Sequence, residues 1–262
     1  MSAAPDVLLK AYLKTLRLPT MLREYPQTAR QCGEENRQYE EFLCRLAERE
    51  STVRETNAIA RRIREADFPA AKELSEFNFA RTPSISKRRV LELGKPEWLE
   101  KRENVVLIGD PGVGKTHLAI ALGREACRRG RRVRFFTAAG LATTYREARA
   151  EREVRRLERH IATKDLVIVD ELGYVSMAEG DAENLFGFFS RCYEKTSVIV
   201  TTNLPFTDWA QIFTNERLAG ALIDRLTHRV HLLDFGQEES ERARQSKARL
   251  EKLLAGEEGG EG

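Results

Sequence analysis

The chain has 262 residues, 41% hydrophobic and 32% charged, which excludes a disordered segment and a core that depends on disulfides or metal. Its four cysteines, Cys32, Cys44, Cys127 and Cys192, have no short paired spacing, and no stretch approaches the roughly 18 apolar residues of a membrane span. A soluble, cytoplasmic protein with no membrane partner is therefore expected. The net charge of +3 is unevenly placed: residues 77–250 carry the basic excess and 251–262 are acidic, a distribution compatible with a polyanionic partner, nucleotide or nucleic acid.

Residues 1–76 read as a small helical domain. Leu9, Tyr12, Leu13 and Leu16 recur at helical spacing until Leu18-Pro19 breaks the pattern. A longer stripe of Phe42, Leu46, Val53, Ile59, Ile63 and Ala66 runs through a segment bounded by Tyr39 and Phe68 and closed by Pro69. Residues 77–103, with Pro83, Pro96 and the cluster Lys87-Arg88-Arg89, read as a linker. From Asn104 short apolar runs alternate with helix-length segments: NVVLIGD, RVRFFTA, DLVIVDE and TSVIVTTN. Runs that are apolar throughout suit strands buried on both faces of a parallel sheet, so residues 104–245 are expected to form an α/β domain. Residues 246–262, ending GEEGGEG, read as a charged tail.

The chemistry concentrates where the first strand ends. Gly109-Asp110-Pro111-Gly112-Val113-Gly114-Lys115-Thr116 fits G-x-x-x-x-G-K-[ST] at every fixed position, between a predicted strand and a helix predicted over 115–129. Glycines let successive amide N–H groups turn inward on a phosphate, and the helix N-terminus adds a favourable dipole. Lys115 is expected to reach the β- and γ-phosphates of ATP and Thr116 to ligate Mg²⁺; these residues, with the adjoining His117, are the candidate nucleotide site. Asp170, at the carboxyl end of an apolar strand, would hold Mg²⁺ through water, and Glu171 would polarise the attacking water. An acidic pair after a strand could also merely cap the following helix, an alternative that the phosphate loop already present makes the lesser one. Asn203 ends the next strand at the carboxyl edge of the sheet; it could position water or sense the γ-phosphate, or simply form a turn before Leu204-Pro205.

These stations, with GKTHLAIALGREACRRG, DELGYV, RCYEKTSVIVTTN, WAQIF and ALIDRLTH, resemble the IstB family of transposition helper ATPases, relatives of DnaC-type helicase loaders in the AAA+ class. The resemblance extends into the N-terminal part through LRLPTMLREY, EEFLCRLAERE and FNFARTPSISKRRV, so it spans residues 10 to 235 or so. It implies a P-loop AAA+ core with a five-stranded parallel sheet behind a small all-helical domain, working as an ATP-dependent homo-oligomer on duplex DNA, largely without sequence preference, together with a cognate transposase. It also implies that Arg225 of Asp224-Arg225-Leu226 is an arginine finger for a neighbouring subunit's site, a group worth about 10³–10⁵ in rate. The segment Phe77-Asn78-Phe79 resembles the family's linker near the adenine, although aromatics there would serve equally as core anchors. The chain departs from the pattern at Ser240-Glu241-Arg242, where members carry Ser-Tyr-Arg, so a sensor role for Arg242 is left open. A DnaC-like helicase loader is the alternative within the class, and an ATP-holding scaffold with negligible turnover the alternative outside it.

Between Tyr145 and His160 lie Arg146, Arg149, Arg152, Arg155, Arg156 and Arg159 among glutamates. Such a stretch commonly forms a solvated helix laced with ion pairs. In the resembling family the helices after the second core strand face DNA, which makes Arg146, Arg149 and the Lys87-Arg88-Arg89 cluster candidates for salt-dependent phosphate contacts.

Overall fold

The structure, a computed structural model, describes residues 4–173, 180–209 and 216–236. The tail and Arg242 lie outside them. The chain divides into two compact units, Met1–Arg61 and Arg62–Gly262. The first unit holds helices α1 (Ala4–Thr15) and α2 (Pro19–Glu34) and most of α3 (Tyr39–Ala66). Pro19 ends the first pattern because it starts the second helix, where its missing N–H costs nothing. Leu18 offers that helix no side-chain cap; instead Glu50 of α3 accepts the N–H groups of Thr20 and Met21 at 2.8 and 2.9 Å. Of the apolar stripe expected on α1, Leu13 is buried while Leu9, Tyr12 and Leu16 are exposed.

The change of unit falls inside α3, earlier than the boundary expected at residue 76, and residues 77–103 are not a bare linker. Ala66, Phe77, Ile85, Val90, Leu93, Trp98 and Leu99 are buried in one cluster with the α/β core. The segment carries two short helices, α4 (Lys87–Leu93), capped by the Ser86 hydroxyl, and α5 (Glu97–Glu100). The indole of Trp98 donates to the Leu93 carbonyl at 2.7 Å. Burial of apolar surface, rather than the prolines, decides the fate of this stretch.

Five parallel strands follow: β1 (Asn104–Ile108), β2 (Val133–Thr137), β3 (Leu166–Leu172), β4 (Ser197–Thr202) and β5 (Val230–Asp234), in the order β2-β3-β4-β1-β5. Helix α6 (Lys115–Arg128) follows β1; α7 (Ala138–Ala150) and α8 (Val154–Ala162) follow β2; α9 (Asp181–Cys192) follows β3; α10 (Glu216–Thr227) precedes β5. Alternate strand residues face two separate cores. Val105, Leu107, Ile168 and Ile199 pack with α6 and the 77–99 segment, whereas Val106, Val167, Val169 and Val200 pack with α7, α9 and α10. With both faces covered, the strands read as continuous apolar runs. The arginine-rich stretch is two helices, because Arg152 takes a left-handed φ of 59° between α7 and α8.

Candidate nucleotide site

The site lies at the carboxyl ends of β1, β3 and β4, where a parallel sheet with reversed strand order opens a crevice. The loop after β1 turns back on itself through glycines. Gly109 has φ 152°, and a Cβ there would sit 2.7 Å from Cβ of Phe235, just past β5; Gly114 has φ 109°, and a Cβ there would sit 3.2 Å from the Phe77 ring. A side chain would collide with Phe235 at Gly109 and crowd the Phe77 ring at Gly114, and both backbones sit at positive φ, so the backbone itself lines the cradle. The loop delivers Lys115 and Thr116 as the first residues of α6. Lys115 is buried, and its ammonium donates to the carbonyls of Gly109 and Asp110 at 2.6 and 2.7 Å.

Thr116 and Asp170 meet across the crevice: the threonine Oγ1 lies 2.9 and 3.1 Å from the two carboxylate oxygens. A hydroxyl and a buried carboxylate beside a loop of inward-turned amides are hard oxygen donors suited to Mg²⁺ and a triphosphate. Thr201 of β4 completes the arrangement. Its hydroxyl donates to Asp170 Oδ1 at 2.5 Å and accepts the Glu171 N–H at 2.9 Å. Pairing of β3 with β4 slips between Val169 and Leu172, and Glu171 takes φ 61° at that slip, so its side chain is exposed beside a carboxylate that is buried. Thr201 is a residue that sequence reasoning missed, although TSVIVTTN placed it one strand from DLVIVDE.

Pro111, Gly112, Lys115, Thr116, Glu171, Thr201, Thr202 and Asn203 line one small pocket. Asn203 Oδ1 is buried there without a hydrogen-bond partner, as an amide awaiting a polar ligand would be. The other candidates sit elsewhere. The Val113 side chain belongs to the core. His117 faces the segment before Phe77, with Nε2 3.1 Å from the Glu73 carbonyl oxygen and its ring edge-to-face with Phe77 at 5.5 Å. Arg225, on α10, is outside the pocket; its guanidinium stacks over Phe186 of α9 at 5.1 Å.

The candidate phosphate contacts for DNA do not form one patch. Lys87, Arg88 and Arg89 occupy α4, which packs on the first core, while Arg146 and Arg149 occupy α7, on the opposite face of the sheet. Several already have partners: Lys87 lies over the Phe79 ring at 5.9 Å, Arg88 meets Glu92 at 3.1 Å, Arg146 meets Asp181 at 3.5 Å, and Arg149 donates to Asn184 Oδ1 at 2.8 Å. Among the described residues no cluster could hold a metal through histidine, cysteine and carboxylates, and no helix is long and apolar enough to cross a membrane.

A phosphate loop between β1 and α6 of a five-stranded parallel sheet, facing an acidic pair on β3, defines a P-loop ATPase of the AAA+ class. The family described as IstB-like ATP binding protein matches residues 11–249. The chain is 35% identical over 242 residues to the ATP-binding protein of insertion sequence IS5376 from Geobacillus stearothermophilus, covering 92% of this chain and 96% of that one. It is 36% identical over 220 residues to the corresponding protein of insertion sequence IS21 from Pseudomonas aeruginosa, covering 84% and 83%. In fold it is similar to AMPPCP-bound DnaA from Aquifex aeolicus, with TM-score 0.55 and 21% identity over 71% of this chain and 56% of that one. DnaI gives TM-score 0.52 and 15% identity over 62% and 90%. The chain belongs to the IstB-like ATP-binding family of insertion sequences, and it is an ATPase.

Proposed function

We propose that the chain hydrolyses Mg-ATP in an oligomer assembled on duplex DNA, and that in this form it recruits or stimulates the transposase of its insertion element. The observation that carries the ATP half is the linkage Thr116–Asp170–Thr201–Glu171 beside the phosphate loop. Thr116 and Asp170 are the residues that would hold magnesium, whose charge would neutralise phosphate oxygens. Lys115 would move its ammonium from the loop carbonyls to the β- and γ-phosphates. Glu171, exposed at the crevice, would accept the proton of the attacking water, and Asn203 would orient that water through its free Oδ1. Arg225 is outside its own pocket, which supports a role at the pocket of a neighbouring subunit.

The transposition half rests on family membership, which runs through the helical first unit as well as the ATPase core. That coverage favours a transposition helper over a helicase loader. Arg146 and Arg149 on α7 remain proposed phosphate contacts; Lys87, Arg88 and Arg89 would need a second DNA segment or a second subunit. The test is ATP turnover with and without duplex DNA. Wild type should turn over, and Glu171→Gln should bind Mg-ATP while losing turnover by a factor of about 10² or more. Turnover identical in the two proteins under both conditions would remove the enzyme reading and leave a nucleotide-holding scaffold.

A further inference from the structure

A second cavity, of about 860 Å³, opens between α8 and α9 beside the amino ends of β3 and β4, whereas the nucleotide pocket lies at the carboxyl ends of the strands; the two share no lining residue. Its walls are two helix faces. Arg155, Glu158, Arg159 and Ala162 recur at three- and four-residue spacing on α8, and Phe188, Arg191 and Cys192 do so on α9, with Lys195 just past its end. The floor is apolar: Tyr145 of α7, Ile161, Phe188 and Cys192 are buried, and burial pushes the Cys192 thiol up to about 12, so it stays uncharged at neutral pH. The rim is cationic. Arg191 of α9 meets Glu158 of α8 at 2.6 Å and joins the two walls. Arg155, Arg159 and Lys195 are exposed, and among the described residues no carboxylate pairs with any of them; Arg159 Nε donates only to the Arg155 carbonyl, at 3.3 Å.

The volume falls within the roughly 300–1,000 Å³ of ligand sites, far more than a single inorganic anion fills. An occupant that satisfies both floor and rim carries carboxylates beside an apolar side chain. Duplex DNA satisfies only the rim: its phosphates could meet the three cations, but a double helix offers no apolar group to a concave floor, and Glu158 adds a like charge. We propose that this groove docks an acidic peptide segment of a partner protein, seating one aromatic or aliphatic side chain on Tyr145, Ile161 and Phe188 while flanking carboxylates reach Arg155, Arg159 and Lys195. An apolar anchor in a pocket ringed by complementary charge is the arrangement that gives a short segment both affinity and register. The groove stands apart from the nucleotide reading, since none of its residues lines the nucleotide pocket.

The experiment is fluorescence anisotropy on the full chain with three labelled probes: a synthetic peptide of glutamates flanking a phenylalanine and a leucine, the same peptide with those two replaced by serine, and a DNA duplex. The first peptide should bind at micromolar concentrations and weaken with added salt, and the serine peptide should bind about tenfold more weakly for want of apolar burial. Arg159→Glu should weaken the first peptide by about tenfold or more, because it replaces an attraction with a repulsion, and Lys195→Glu carries the same expectation should the first variant fail to fold. Arg156→Glu makes the same change on α8 at a residue that pairs with Glu153 and does not line the cavity, and it should leave the affinity at the wild-type value. Melting temperatures close to wild type establish that the variants are folded. No binding of the first peptide, equal binding of the two peptides, or equal losses for Arg156→Glu and Arg159→Glu would overturn the proposal. Duplex binding that Arg159→Glu abolishes, with the peptide unaffected, would overturn it too and assign the groove to nucleic acid.

Discussion

Thr201 shows how one hydroxyl ties two carboxylates of opposite exposure. By donating to Asp170 and accepting the Glu171 N–H it fixes the buried acid and the backbone of the exposed one. Thr201→Val keeps the shape and removes one of the two hydroxyls that contact Asp170, so turnover should fall about 10–100-fold, read by steady-state kinetics at saturating Mg-ATP. Glu50 does comparable structural work in the first unit. Burial works to raise its carboxyl, but the Met21 and Thr20 N–H groups and Arg54 outweigh burial and lower it. A carboxyl lowered by folding contributes stability above its unfolded value of about 4.5, and that contribution disappears as pH falls through the folded value. The protection of the Thr20 and Met21 amides, taken relative to the intrinsic exchange rate at each pH, should therefore fall on acidification, and in Glu50→Gln it should already be lower at neutral pH, by the equivalent of about 1–3 kcal/mol.

At the scale of elements, the phosphate loop depends on β5 through Gly109. Because a Cβ there would strike Phe235 close to its backbone, where no side-chain rotation relieves the clash, Gly109→Ala should lower the unfolding free energy of the nucleotide-free protein, read from urea denaturation, by about 1–3 kcal/mol. β5 was also the strand the residue pattern did not announce. Val230, His231 and Leu232 are partly exposed and Leu233 alone is buried among its residues, as befits an edge strand, so RVHLLDF shows no continuous apolar run. β1, β3 and β4 were legible for the opposite reason, being central and covered on both faces, whereas β2, the other edge, is half-buried and was legible from its Val133, Phe135 and Phe136. The phosphate loop was legible because its residues are adjacent in sequence. Thr201 was not, since its contacts with Asp170 and Glu171 arise from register across β3 and β4. The arginine stretch read as one helix because nothing in its composition marks Arg152 as the break.

For the whole molecule, Arg225 lies outside the pocket of its own chain, and the proposed reading assigns it to the pocket of a neighbouring subunit. On that reading Glu171→Gln retains a finger and lacks a base, whereas Arg225→Ala retains a base and lacks a finger. Each alone should be nearly inactive with DNA present, and mixing them should restore a measurable fraction of turnover, because some interfaces would pair an intact Glu171 with an intact Arg225. No recovery on mixing would count against a finger shared between subunits.

The left-handed backbone at Glu171 has a thermodynamic side. A residue with a side chain pays about 1–2 kcal/mol to sit at positive φ, a penalty that glycine escapes. The folded chain is thus held below its attainable melting temperature by the same residue that faces the crevice. Glu171→Gly should denature at a higher temperature in calorimetric scans and, if Glu171 has the proposed role, lose turnover, so that selection for robustness and selection for hydrolysis would pull this position in opposite directions.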